Sequence, residues 1–299
     1  PRRRSEVLVA RLGERLSLAP EGRLIDVGCG NGAMLRAFSQ AHPGWRLWGH
    51  EIDSTHRDRL RALPRFQTLY QGGLDGIGSG FDLVTVIHAL EHFADPIGVV
   101  RDLLGRLGPS GHLFLQVPNA EVNPFDLCVA DHATHFSPRT LSILLAKTGA
   151  TFGHIATDWV AKELSAMVAG AAGDLDRLSP AAPADTLEAT IAQVAWLSEV
   201  ARQARAIAEG SRKFGLFGTA IAATWLDAQM ADRVSFFVDE DPSRAGGTYR
   251  DRPVLPPQDV PQGADVFMAL VPTVARPIAR RLGPVAAGWH VPIELGVGP

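Results

Sequence analysis

Two successive α/β units, each a parallel sheet covered by helices, are what this sequence predicts. Three observations carry that expectation. Strand-like apolar runs alternate with helical stretches from Arg23 to Val117, the rhythm expected of βαβ units. The alternation restarts after Lys213. Each half also opens with a strand that turns through glycines into a helix, at Leu24–Gly32 and again at Phe214–Ala220. The length of 299 residues agrees, at roughly 150 residues per domain. Both halves therefore read as Rossmann-like.

Taken in order, Arg2–Leu18 places Val7, Leu8, Leu12 and Leu16 near helical spacing and ends at Ala19-Pro20, so it reads as a helix. Strands are expected at Arg23–Val27, Arg46–Gly49, Phe66–Tyr70, Phe81–Ile87 and His112–Val117. Helices are expected at Asn31–Ser39, around Asp58–Leu63 and at Pro96–Leu107. Ser137-Pro138 is an N-cap with proline in the first turn, opening a helix that stops at Gly149. Thr151–Thr157 and Leu164–Ala169 are two further strands. Residues 170–186, rich in Ala, Gly, Pro and Asp, read as a linker. Leu187, Ile191, Val194, Leu197 and Val200 then give 187–209 one amphipathic face. Beyond it, strands are expected at Phe214–Phe217, Val234–Val238, Asp265–Leu270 and near His290–Ile293. Helices are expected at Ala220–Ala231 and around Val274–Leu282, with 241–264 as a long connection. The division expected is 1–169, a linker and helix over 170–211, and a second domain over 212–299.

Composition narrows the function. The net charge of −3 argues against a protein held to nucleic acid or anionic lipid by a bulk positive field. The 26 arginines against three lysines read, with the abundant Ala, Gly and Pro, as genomic codon bias. Two cysteines, Cys29 and Cys128, make neither a disulfide framework nor a zinc spacing. No apolar run approaches the ~18 residues of a membrane span, and no signal-peptide pattern is seen. The expectation is a cytoplasmic protein acting on a small molecule, without nucleic-acid or membrane partners. The oligomeric state stays open.

The sharpest motif is Leu24-Ile25-Asp26-Val27-Gly28-Cys29-Gly30-Asn31-Gly32, with Glu51 about 20 residues on at the end of the second strand. Glycines there allow a tight turn and close approach of a ligand, and the acidic residue is placed for ribose hydroxyls. Gly28-x-Gly30-x-x-Ala33 satisfies a dinucleotide fingerprint. Asp26, however, crowds a loop meant for a pyrophosphate and suits a cationic amino-acid sulfonium better. These residues resemble motif I of the class I S-adenosylmethionine-dependent methyltransferases, D-x-G-x-G-x-G. Phe81-Asp82-Leu83-Val84 running on to Leu90-Glu91-His92 is similar to the fourth-strand motif of the same family.

The resemblance implies a Rossmann-like class I methyltransferase domain that binds S-adenosyl-L-methionine. It implies a cofactor set of Asp26, Gly28, Cys29, Gly30, Glu51, Ile52 and His88. Where the family usually carries Gly-Asp after the third strand, this sequence has Gly72-Gly73, which moves the adenine contact to the backbone near Leu74 or to Asp75. Three rivals are kept: an NAD(P)-dependent oxidoreductase, a methyltransferase of lipid-linked or natural-product acceptors, and a non-catalytic regulator on this fold.

Acceptor chemistry should come from the loop after His112–Val117. It closes with Ala130-Asp131-His132-Ala133-Thr134-His135-Phe136-Ser137, and two histidines three apart before a helix are poorly explained by packing. The stretch resembles Y-H-E-H-x-x-Y-F-S of the sugar C-methyltransferases. By that resemblance His132 is the general base and His135 a substrate contact, with a sugar or nucleotide sugar as acceptor. Val129 and Ala130 replace the leading Tyr and His, so O-methylation fits at least as well as C-methylation. No metal site is expected, because His88 and His92 could share an ion only on a helix. Asp239-Glu240-Asp241-Pro242 and the residues after it are similar to the C-terminal domain of the same enzymes. Residues 1–299 hold none of the cysteines of those enzymes' N-terminal zinc domain, so the expectation is either a variant without that domain or one that carries it outside this sequence. The sequence thus predicts a methyltransferase domain, a helical linker and a second, smaller Rossmann-like α/β domain.

Overall fold

The computed structural model describes residues 4–169, 184–283 and 288–294. The linker expected over 170–186 lies, up to residue 183, outside them. Two compact units emerge: residues up to Val122 together with those from Asp131, and Asn123–Ala130 together with the C-terminal part.

In the first unit, α1 (Arg4–Arg15) precedes β1 (Arg23–Val27), α2 (Ala33–Ala41), β2 (Arg46–Glu51), α3 (Arg57–Arg61) and β3 (Phe66–Gln71). Then come β4 (Phe81–Ile87), α4 (Pro96–Gly105), β5 (Leu107–Pro118), α5 (Pro138–Thr148), β6 (Thr151–Ala156) and β7 (Glu163–Ala169). The strands form one seven-stranded sheet in the order β3-β2-β1-β4-β5-β7-β6. The first five are parallel, and β7 runs antiparallel to both β5 and β6. The order reverses between β1 and β4, which puts a crevice at their carboxyl ends.

Strand alternation splits the core across the sheet. Ile25, Val27, Val84, Val86, Leu113 and Leu115 pack on one face, and Leu24, Leu83 and Phe114 on the other. Burial on both faces is why these strands are almost wholly apolar. Phe114 is fully buried and stacks on Trp159 at 5.7 Å, so its loss would cost about 3–5 kcal/mol. The signals read around α5 are present: Ser137 accepts from Thr140 N in a capping box, and Gly149 closes the helix at φ 75.

The second unit contains α6 (Ala184–Gly210), β8 (Phe214–Phe217), α7 (Ile221–Gln229) and β9 (Val234–Val238). It continues with β10 (Thr248–Tyr249), β11 (Arg252–Leu255), β12 (Asp265–Met268), α8 (Pro272–Leu282) and β13 (Gly288–His290). The sheet order is β10-β11-β9-β8-β12-β13, parallel except for the β10–β11 pair. The segment 241–264, expected as a plain connection, therefore contains two strands. Both are short and β11 carries Pro253, so neither shows a period long enough to read. On α6, Leu197 and Val200 are buried while Leu187, Ile191 and Val194 stay exposed, so only the C-terminal part of the expected face packs. Phe125, from the segment inserted between the halves of the first unit, meets Trp196 and Trp225 edge-on at 5.3 and 6.1 Å. Among the described residues no helix is long and apolar enough to cross a membrane.

Candidate active site

The first glycine turn is held by main-chain hydrogen bonds to the neighbouring strand. Gly28 N and Cys29 N both donate to His50 O, at 2.9 and 3.0 Å. Gly28 takes φ 73, and a Cβ on it would lie 2.5 Å from the Ala89 Cβ, so the turn tolerates only glycine there. Gly30 is left-handed too, at φ 49, but a Cβ would meet no atom within 4 Å. Its open face is where a ligand can approach the backbone. Beside it Glu51 accepts from Gly30 N and from Ile52 N, both at 2.8 Å.

A cavity of about 270 Å³ lies at this switch point, lined by Gly28, His50, Glu51, Ile52, His88, Ala89, His92 and Phe93. Gly28, Glu51, Ile52 and His88, drawn from three strand ends, thus share one wall system. Ile52 is 81% exposed, an apolar side chain left at the rim. The open face at Gly30, the acceptor oxygens of Glu51 and the apolar Ile52 fit the chemistry of an adenosyl ligand.

Asp26 lies beneath the turn rather than in the cavity lining. It is wholly buried, and burial pushes its carboxyl up to about 7, with Glu51 adding to the rise and the Thr85 hydrogen bond opposing it. Cys29 turns its thiol into the core, 6% exposed. Burial, then the charges of Asp26 and Glu51, hold that thiol well above its ordinary range. Cys29 can therefore serve a ligand only through its main chain. Neither Leu74 nor Asp75, where the sequence places an adenine contact, lines the cavity. Instead His50 Nε2 donates to Gly72 O at 2.8 Å, tying the end of β3 to β2.

The loop histidines come together. The ring of His132 meets His92 edge-on at 4.8 Å and lies 6.1 Å from His135. His92 Nδ1 donates to Asp131 O at 3.0 Å and sits 3.3 Å from the Asp131 carboxylate. Glu91, His92 and His132 each bring one donor atom within 4.8 Å of the others. His88 is not in that trio. It follows β4 directly in the left-handed region at φ 50, sparsely populated by residues other than glycine, while Leu90–His92 forms a short 3-10 turn.

Sequence reasoning missed His50, Ala89 and Phe93, which line the cavity, and one residue beside it. Glu163, the first residue of β7, lies 2.5 Å from His88 Nε2 and also pairs with Arg4. Its only signal is the antiparallel pairing of β7 with β5, which no local pattern announces.

Residues 2–154 match the family model described as a methyltransferase domain, which covers half of the chain. The chain belongs to this family of methyltransferase domains. With the sheet order above, the first unit has the class I methyltransferase fold. The ubiquinone biosynthesis O-methyltransferase of Xanthomonas campestris pv. campestris (strain B100) is 30% identical over 129 residues, covering 40% of this chain and 54% of that protein. Its counterpart from Vibrio cholerae serotype O1 (strain M66-2) is 29% identical over 111 residues, covering 34% and 44%. The chain thus spans about half the length of the curated relatives it matches. Among solved structures, the mitomycin 7-O-methyltransferase MmcR is similar at 20% identity and TM-score 0.48, over 56% of this chain and 53% of that one. The pyocyanin biosynthetic protein PhzM is similar at 20% identity and TM-score 0.44, over 56% and 55%.

Proposed function

We propose that this methyltransferase domain uses S-adenosyl-L-methionine to methylate a sugar, a nucleotide sugar or a related polar small metabolite. The observation that carries the reading is the double membership of His92. It lines the cavity with Gly28 and Glu51, and it packs against His132 in the histidine cluster. A cofactor cleft and a proton-accepting cluster are thereby adjacent.

In this reading Glu51 accepts hydrogen bonds from the ribose hydroxyls, and the Gly28, Cys29 and Gly30 main chain lies against the ligand. Ile52 covers the base, His88 faces the sulfur end, and Asp26 supplies buried acidity below the turn. S-adenosyl-L-methionine supplies an electrophilic methyl group when bound. His132 would take the proton from the acceptor oxygen or carbon that receives the methyl group. His135 contacts the substrate. Holding the acceptor in line supplies much of the remaining rate. The relatives are O-methyltransferases by name, and Val129 and Ala130 depart from the C-methyltransferase pattern; both points support an oxygen acceptor. Residues 1–169 are then the catalytic domain, joined through 170–211 to a non-catalytic Rossmann-like domain over 212–299, in a cytoplasmic protein.

The test is transfer of labelled methyl to a panel of nucleotide sugars, free sugars and dihydroxyaromatic compounds. Label on a sugar is expected, lost in His132→Ala while calorimetric affinity for S-adenosylhomocysteine is unchanged. Transfer confined to the aromatic compounds would overturn the sugar assignment. A collapse of cofactor-product affinity in His132→Ala would overturn its role as base.

A further inference from the structure

Glu163 belongs to none of the motifs, yet the fold delivers it to the edge of the cofactor cleft. β7 pairs antiparallel with β5 so that Glu163 stands opposite Pro118, the last residue of β5. There its carboxylate meets His88, which directly follows the adjacent β4. His88 Nε2 lies 2.5 Å from Glu163 Oε2, and His88 Nδ1 lies 3.2 Å from Glu91 Oε1. Arg4, at the start of α1, contacts both Glu163 and His88. One side of the cleft therefore carries a carboxylate held between two basic groups, and one of them, His88, faces the cavity that also holds Glu51.

The charges around His88 come from every element packed on it. Glu91 follows it in the 3-10 turn, Glu163 comes from β7 and Arg4 from α1, while Lys162 precedes Glu163 and Glu51 lines the same cavity. Burial alone would lower the imidazole. The close contacts with the Glu163 and then the Glu91 carboxylate, with the charge of Glu163, outweigh burial and Arg4 and hold it above its ordinary value. His88 and Arg4 thus set two basic groups against the Glu163 carboxylate, whose side chain is only 12% exposed. Ion pairs in such surroundings persist only when their charges stay matched. A ligand entering here must bring both signs, and a zwitterionic α-amino acid does.

We propose that Glu163 and His88 are a specificity pair for the amino-acid end of the cofactor. Glu163 accepts hydrogen bonds from the ligand's ammonium, while His88, with Arg4, donates to its carboxylate. The two ligand charges replace an ion pair that the protein otherwise makes with itself. This rests on the methyltransferase reading and assigns two side chains to one end of the same cleft: Glu51 reads the nucleoside, and Glu163 with His88 reads the amino acid.

The experiment titrates the full chain by calorimetry with S-adenosylhomocysteine and with 5′-methylthioadenosine, which keeps the nucleoside and thioether but lacks the amino-acid end. The wild type should prefer S-adenosylhomocysteine. Glu163→Gln and His88→Gln should each weaken that ligand by about tenfold or more, the size of a lost charge-assisted hydrogen bond, and Glu163→Gln should leave 5′-methylthioadenosine unchanged. Unchanged binding of the shorter ligand also reports a folded nucleoside site. Wild-type preference should shrink as pH rises and His88 loses its proton, while affinity for the shorter ligand stays flat. Equal losses for both ligands, or unchanged S-adenosylhomocysteine affinity in both variants, would overturn the proposal. If the wild type binds neither ligand, it is the methyltransferase reading that fails.

Discussion

Thr85 donates its hydroxyl hydrogen to Asp26 Oδ1 across 2.6 Å, at a point where neither side chain reaches water. The pairing follows from strand register, since Asp26 stands opposite Thr85 in the β1–β4 pair. It ties the acidic residue of the glycine motif to the neighbouring strand. Thr85→Val keeps the shape and removes the donor. It should cost about 1–3 kcal/mol, because a buried acceptor loses its partner, and it should raise the Asp26 pKa further. Chemical denaturation at a fixed pH reads the first effect.

The same carboxyl gives stability a defined pH dependence. Asp26 has a pKa of about 7 in the fold against an ordinary value of 3.8. Between those values the folded chain keeps a proton that the unfolded chain releases, so this residue makes stability fall as pH rises from about 4 to about 7. Asp26→Asn removes that slope. Relative to the wild type it should gain stability above pH ~7, by up to about 4 kcal/mol, and show no such gain near pH ~4. Denaturation curves at the two ends of the range decide it.

Two glycines of one turn should behave differently. Gly28→Ala drives a methyl group against Ala89 at 2.5 Å and is strained at its φ, so it should lower thermal stability by about 2 kcal/mol or more. Gly30→Ala meets open space in the protein and should cost about 1–2 kcal/mol of backbone strain. Its methyl group occupies the ligand's side, so S-adenosylhomocysteine affinity should fall much more than stability does. Melting curves and calorimetry on the two variants side by side check the contrast.

In the second unit, Asp227 on α7 is 4% exposed and accepts from Arg250 Nε at 2.6 Å and Arg252 Nη1 at 2.7 Å. These arginines flank the turn joining β10 to β11, so Asp227 anchors a hairpin with little core of its own. Asp227→Ala should cost about 1–3 kcal/mol, less than a fully buried pair because both guanidinium groups remain partly hydrated. Amide exchange should quicken first over residues 248–255. Uniform loss of protection across the unit would contradict this local role.

Much of this architecture is legible in the sequence because its signals are local. Gly28 and Gly30 announce a tight turn at the end of β1 and Glu51 the end of β2 through spacing alone, and Ser137-Pro138 and Gly149 mark α5 through capping chemistry. The strands β1, β4 and β5 are long apolar runs that only a doubly covered sheet can bury. Glu163 is different: it meets His88 through a chain reversal that runs β7 against β5, and register across 75 residues leaves no period to read. The β10–β11 hairpin escapes notice because two-residue and four-residue strands are too short for alternation. Cys29 shows the opposite limit, since membership in a motif said nothing about which way its side chain points.

The central claim is that the cleft at the end of β1 is built for an S-adenosyl ligand rather than a dinucleotide. Calorimetric titration of the wild-type chain with S-adenosylhomocysteine and, separately, with NADH tests it most directly. The account predicts saturable one-to-one binding of S-adenosylhomocysteine, weakened by Gly30→Ala, with no measurable heat from NADH. Tight binding of NADH with none of S-adenosylhomocysteine would contradict it.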